Sequence, residues 1–165
     1  MATWSGACGA SADDAKQNGT AVILAATMSV ANATNYLGVR FQNVTVPQGA
    51  TINSATLTVN VPFPASDSPN GVTWYGELAT NAAAFTTTAS DITNRARTSA
   101  TTVWSGSDIG TGDKALTVTS IVQEIVNQGG WASGNAMALL LYGVASCAIQ
   151  ITSYDTSTTL CARLA

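Results

Sequence analysis

Histidine is absent from this 165-residue sequence, and charge of either sign is scarce. The first absence excludes Ser-His-Asp and Cys-His catalysis and any metal site built on imidazole. Charged residues make up 9% of the chain, against a usual share of about a quarter. Six basic residues, in a chain of net charge −3, cannot build the phosphate-neutralising stripe that nucleic-acid binding requires. Nucleic acid is therefore excluded as a partner. No apolar run reaches the ~18–20 residues of a membrane helix, so no membrane span is expected. The N-terminus, MATWSGACGASADD, has no basic stretch followed by an apolar core, so it reads as a free-standing product without a secretory signal. The three cysteines are odd in number and lack CxxC spacing, which excludes a fully paired framework within one chain and a zinc site. Small buried thiols are favoured over one disulfide involving Cys8. Cys147 and Cys161 are expected on neighbouring strands, and Cys8 in a Gly-flanked loop.

What replaces the missing charge is Thr, Ser, Asn, Gly and Ala, and hydrophobic residues reach 46%. Thr suits a pleated, half-buried surface where Lys and Glu do not. Length and composition predict a single β-sandwich domain over 1–165, with 1–19 as an N-terminal arm or loop. Size scaling buries roughly 70% of the unfolded chain's surface, enough for a two-layer core without disulfide or metal staples. The stretch LGVRFQNVTVPQGATINSATLTVNV (37–61) alternates apolar and polar residues on both sides of Pro47-Gln48-Gly49 and reads as a hairpin. Further strands are expected at 20–30, 72–79, 136–142, 148–154 and 158–164. Short ones are expected near 85–88, 92–97 and 101–104. Pro64, Pro69 and Asn70-Gly71 make a turn region of 62–71. The apolar run 136–142 predicts a central strand covered on both faces. One helix is expected at about 120–128, from a Ser120/Gln123 capping box, an apolar face of Ile121, Val122, Ile125 and Val126, and a Gly129-Gly130 stop. The fold class is all-β, an antiparallel sandwich of jelly-roll type with one short helix.

The segments VRFQNVTVPQGATINSATLTV (39–59), YGELATNAAAFTTTASDITNRARTSATTVW (75–104), VTSIVQEIVNQGGWASGNAMALLLYG (118–143) and SYD (153–155) carry a resemblance. Together they resemble a β-sandwich module of bacterial extracellular proteins, similar to the DNRLRE group of carbohydrate-binding-like sandwiches. The likeness spans about residues 36–160 with its motifs in order. It implies a sandwich that binds or scaffolds. The chain departs from the usual multi-module setting and adds Cys147 and Cys161, and stand-alone copies of such sandwiches resemble phage capsid-decoration or tail proteins.

Candidate chemistry is thin. Carboxylate-pair hydrolysis needs two facing Asp/Glu, and Glu77, Asp91, Glu124 and Asp155 are the residues available. Ion pairing of Glu77 and Asp91 with Arg95 and Arg97 is the simpler reading. The loop DIGTGD (108–113) and Asp13-Asp14 could offer oxygens to Ca²⁺ but lack its twelve-residue ligand spacing. No metal or cofactor is expected. Of the aromatic residues, Trp74 has inward parity and Trp131 follows the helix stop, leaving Trp4 and Tyr75 as candidates for exposed stacking rings. The functional expectation is a non-enzymatic virion protein, a capsid decoration or cement protein. Its partners would be the major capsid protein and copies of itself. The alternative is a carbohydrate-binding module on a cell or phage surface, with a glycan as ligand.

Overall fold

Residues 37–61 alternate as expected, with Leu37, Val39, Phe41, Leu57, Val59 and Val61 all buried, yet they form two strands in different sheets. The computed structural model describes residues 3–24, 27–63, 71–105, 110–145 and 147–165. In chain order the strands are β1 (Gly6–Ala7), β2 (Asp14–Asn18), β3 (Ala21–Leu24), β4 (Met28–Val30), β5 (Asn35–Val44) and β6 (Thr56–Val61). They continue with β7 (Val72–Glu77), β8 (Arg97–Trp104), β9 (Gly112–Thr117), β10 (Asn135–Tyr142), β11 (Ile149–Ile151) and β12 (Arg163–Leu164). The α-helix α1 (Thr119–Val126) lies between β9 and β10. One sheet runs β3-β2-β5-β10-β7-β8, the other β1-β12-β6-β9, and β4 pairs with β11 alone. Every pairing is antiparallel. With the β2–β3 hairpin and the β4–β11 pair set aside, β1-β12-β6-β9 faces β5-β10-β7-β8. That is jelly-roll order. No helix among the described residues is long and apolar enough to cross a membrane.

The expected hairpin fails because both edges of β5 are taken, by β2 and β10. The turn itself forms: Ala50 N–H donates to Pro47 O at 3.2 Å, with Gly49 at φ +68°. The chain then crosses to the opposite layer, where β6 pairs with β9 and β12. Alternation reports only that one face is buried, and this holds equally for strands in facing layers.

The inner core joins Leu37, Val39, Phe41, Trp74, Leu139 and Leu141 of one sheet to Leu57, Val59 and Val61 of the other. A second apolar cluster covers the outer face of the six-stranded sheet, with Phe85 and Ile92 over Ala138 and Leu140. β10 is thus covered on both faces, as its sequence indicated. The cover is the β7–β8 connection, and it corrects the short strands expected near 85–88 and 92–97. This segment crosses the sheet face, and side chains hold its backbone. Gln17 Oε1 accepts from the Ile92 and Thr93 amides (3.0 and 3.1 Å), and Asn81 Oδ1 accepts from Ala136 N–H (2.9 Å). Residues 101–104 do belong to a strand, β8.

Phe85 sits over Gly38, where an added Cβ would meet the ring at 2.2 Å. Gly38→Ala should destabilise the fold by about 1–2 kcal/mol through overpacking. Phe85→Leu in the same chain should recover part of that loss, measured by urea unfolding.

Other expectations shift. Residues 14–18, expected within an arm or loop, are β2, paired between β3 and β5. The polar sequence DAKQN hides this strand, because its buried Gln17 clamps backbone instead of filling core. The strand expected at 20–30 is two, β3 and β4. Those at 148–154 and 158–164 shrink to β11 and β12, in separate sheets. Cys147 and Cys161 therefore do not sit on neighbouring strands, and all three cysteines are buried free thiols. Most of the turn region 62–71 lies outside the described residues.

The helix buries Ile121, Val122, Ile125 and Val126 as expected, but its caps differ. Val118 is the N-cap and makes no side-chain cap bond. Gln123 instead ties the β5–β6 crossing to the helix, accepting from Ile52 N–H at 2.8 Å and donating to Ala50 O at 3.0 Å. Gly129 and Gly130 are not left-handed. The Gly49 amide satisfies the Val126 carbonyl at 2.9 Å.

Candidate functional site

Three adjacent strands of the six-stranded sheet bring tyrosines to its outer face beyond the Phe85 cover. Inward parity belongs to Leu37, Leu141 and Trp74, so Tyr36, Tyr142 and Tyr75 point the other way. Tyr36 lies opposite Tyr142 across the β5–β10 pairing, and Tyr75 lies opposite Leu140 across β10–β7. The Tyr142 ring meets Tyr36 edge-on at 4.8 Å and Tyr75 edge-on at 5.3 Å. Arg97, exposed at the start of β8, lays its guanidinium over both Tyr142 (4.3 Å to the centroid) and Tyr75 (4.7 Å). Partial burial, offset in part by Arg97, raises the Tyr142 phenol above its ordinary pKa.

Of the two expected stacking residues, only Tyr75 belongs to this platform. Trp4 lies at an end of the sandwich, half-buried and edge-on to Phe41 at 6.5 Å. There it lines an opening of about 480 Å³ with Val46, Ile52, Val122, Met137 and Leu164. The two rings do not form one site. Tyr36, Tyr142 and Arg97 were missed as a group because their association depends on the strand order β5-β10-β7-β8, which no local pattern encodes. The parity of Tyr36 against Leu37 was the available signal. Trp74 and Trp131 are buried as expected, and Trp131 Nε1–H donates to Val46 O at 2.9 Å.

The carboxylates are committed elsewhere. Arg95 pairs with Glu77 at 2.8 Å and with Asp91 at 3.1 Å. The ion-pair reading thus holds for both acids with Arg95 and not with Arg97. Burial still holds the Glu77 carboxyl above the ordinary carboxylate range, Arg95 opposing it. Glu124 accepts from the amides of Ser99 (2.9 Å) and Ala100 (2.8 Å), and Asp155 accepts from Ser11 Oγ at 2.5 Å.

The candidate calcium loop lies partly outside the described residues. Its Asp113 accepts from Asn60 Nδ2 (2.9 Å) and Arg163 Nη2 (2.7 Å), bonds that hold its carboxyl low. Asp13 binds Arg40 at 2.5 Å and Gln42 at 2.7 Å. Asp14 Oδ2 accepts from Tyr154 N–H at 2.6 Å. Among the described residues no three acidic or cysteine side chains gather in a metal-binding group.

No protein-family model matches this chain, and neither does any curated protein. What the site can do follows from its chemistry. Half-exposed aromatic rings around a stacked cation offer adhesion to a polar, ring-shaped or anionic surface.

Proposed function

We propose that this chain is a non-enzymatic phage virion protein, a capsid decoration or cement protein that packs against the major capsid protein and copies of itself. The observation carrying this reading is the side of the sandwich where β8 and β9 are the edge strands of their sheets. Thr102, Val103 and Trp104 there face Lys114 and Leu116 across a shallow groove. Proteins that stay solitary blunt such edges with lysine, proline or bulges, and Lys114 does so on β9 but has no lysine counterpart on β8. Residues 98–104, TSATTVW, hold no charge and no proline, and Val103 is 61% exposed. Glu124 closes the Ser99–Ala100 part of this edge, and Thr102 Oγ1 donates to Thr117 O at 2.7 Å, which leaves Val103 as its exposed apolar residue. Such an edge suits lasting cover by a neighbour, where interfaces are more apolar than ordinary surface. The sparse charge supports the same role.

Mass spectrometry of native particles should find this chain at a copy number on the scale of the major capsid protein. Val103→Lys should then lower its occupancy on capsids while leaving its circular dichroism unchanged. Particles that lack the chain would end the proposal.

The tyrosine platform favours a second reading, a carbohydrate-binding module displayed on a phage or cell surface. It is compatible with the first, since a decoration protein exposes one side of its sandwich to the medium.

A further inference from the structure

We infer that the outer face of the six-stranded sheet holds a site for an acidic saccharide, with Arg97 receiving the sugar carboxylate and Tyr36, Tyr75 and Tyr142 the ring. This rests on the carbohydrate-binding reading and goes further by naming the class of sugar.

The first ground is charge. Arg97 is exposed in a chain of net charge −3, and no carboxylate among the described residues pairs with it. The neighbouring Arg95 pairs with two. Arg97 instead sits against two rings, its guanidinium carbon 4.7 Å from the Tyr75 centroid and 4.3 Å from that of Tyr142. The two rings stand 73° apart, so together they fix the guanidinium's position, and no hydrogen bond within the described residues uses its N–H groups. Their planar fork matches a carboxylate in two parallel hydrogen bonds. Pre-orientation by two rings lowers the entropy lost when the pair forms.

The second ground is unspent hydrogen-bonding capacity. None of the three phenol hydroxyls has a hydrogen-bond partner among the described residues. The cross-strand neighbours Thr73, opposite Tyr142, and Thr101, opposite Tyr75, stand beside them. A half-buried face with this density of hydroxyls around aromatic carbon matches a pyranose, which pairs C–H faces with many hydroxyls.

The third ground separates sugar from peptide. β10 is paired on both sides along the platform, by β5 and by β7. An extended peptide lying there would find no free backbone amide or carbonyl to extend the sheet. An uronate or sialate needs none.

The test is titration calorimetry of the intact protein with paired ligands, sialyllactose against lactose and an oligogalacturonate against its neutral methyl ester. The acidic member of each pair should bind roughly tenfold or more tightly, the preference weakening at high salt. Arg97→Gln should erase the preference while its circular dichroism stays native, and Tyr142→Ala should weaken both members. Equal binding of acidic and neutral sugars, or an acidic preference that survives Arg97→Gln, overturns the inference and leaves the carbohydrate reading intact. No binding of any sugar overturns both. An acidic peptide bound more tightly than the acidic sugars, and lost in Arg97→Gln, would also overturn it.

Discussion

Replacing Arg95 with leucine should cost about 3–5 kcal/mol, because it leaves the buried Glu77 carboxylate without its counter-charge. The Arg95 and Glu77 side chains are only 7% and 10% exposed. Arg95 also donates to the Ala83 carbonyl (2.9 Å) and the Ala84 carbonyl (3.1 Å), and its guanidinium lies 4.2 Å above the Phe85 ring. One side chain therefore fastens the β7–β8 connection to the sheet by charge, by hydrogen bonds and by stacking. Its loss should peel this cover from Leu140 and Ala138. Urea unfolding should show the fall in midpoint, and amide exchange should rise first across 79–94. Adding Glu77→Gln to Arg95→Leu should restore part of the stability by removing the uncompensated charge. If the double variant is no more stable than the single one, the electrostatic explanation is wrong and the loss is one of packing.

The second large effect is a pH dependence of stability centred on Asp14. Its residue is 1% exposed, and among the described residues Oδ1 has no hydrogen-bond partner while Oδ2 accepts only from Tyr154 N–H. Burial is the main cause that pushes its pKa up to about 6, with Asp155 and Asp13 adding repulsion against the Tyr154 bond. The raised value means that the folded state binds the proton more tightly than the unfolded chain. This contribution is complete below the unfolded pKa of about 4 and is lost as pH rises through about 6. A shift of roughly two pH units corresponds to about 3 kcal/mol. Glu77, also raised, acts with the same sign. Asp14→Asn keeps an acceptor for Tyr154 N–H and removes the titration. Unfolding free energies at pH 4, 5, 6 and 7 should fall more steeply for the native protein than for the variant. Parallel curves would place the titration elsewhere. The same environment keeps the Cys8 thiol protonated, burial being the larger cause and Asp14 the next.

The parts of the fold that were legible from sequence were those in which a residue's neighbours along the chain decide its fate. Alternation at 37–41 and 57–61, the continuous apolar run 136–142 and the helical face Ile121–Val126 each followed from one periodicity. The partners of those elements did not. β5 and β6 carry the same pattern whether they are paired or facing, and only the competition of β2 and β10 for the edges of β5 decides. The capping box failed for a related reason, since Gln123 bonds Ala50 and Ile52 of the β5–β6 crossing and Asn127 at the helix C-cap, not the helix N-terminus. The candidate site divided in the same way. Tyr75 could be read as outward-facing from its strand alone. Its association with Tyr36, Tyr142 and Arg97 is a property of sheet order, and so is the contact of Trp4 with Phe41 at the sandwich end.

The pairing of β1 with β12 joins Gly6 to Leu164 and Ala7 to Arg163, the earliest and latest strands of the chain. β10, the central strand, likewise joins β5 to β7 only after most of the sequence has been made. A nascent chain leaving the ribosome therefore carries β5 and β7 with an empty lane between them, apolar on the side meant for the core. Topologies dominated by such distant pairings fold in milliseconds to seconds. During that interval the uncapped lane is the segment most open to mispairing with another copy. Synthesis at high copy number would favour a chaperone, or immediate docking, to shelter it.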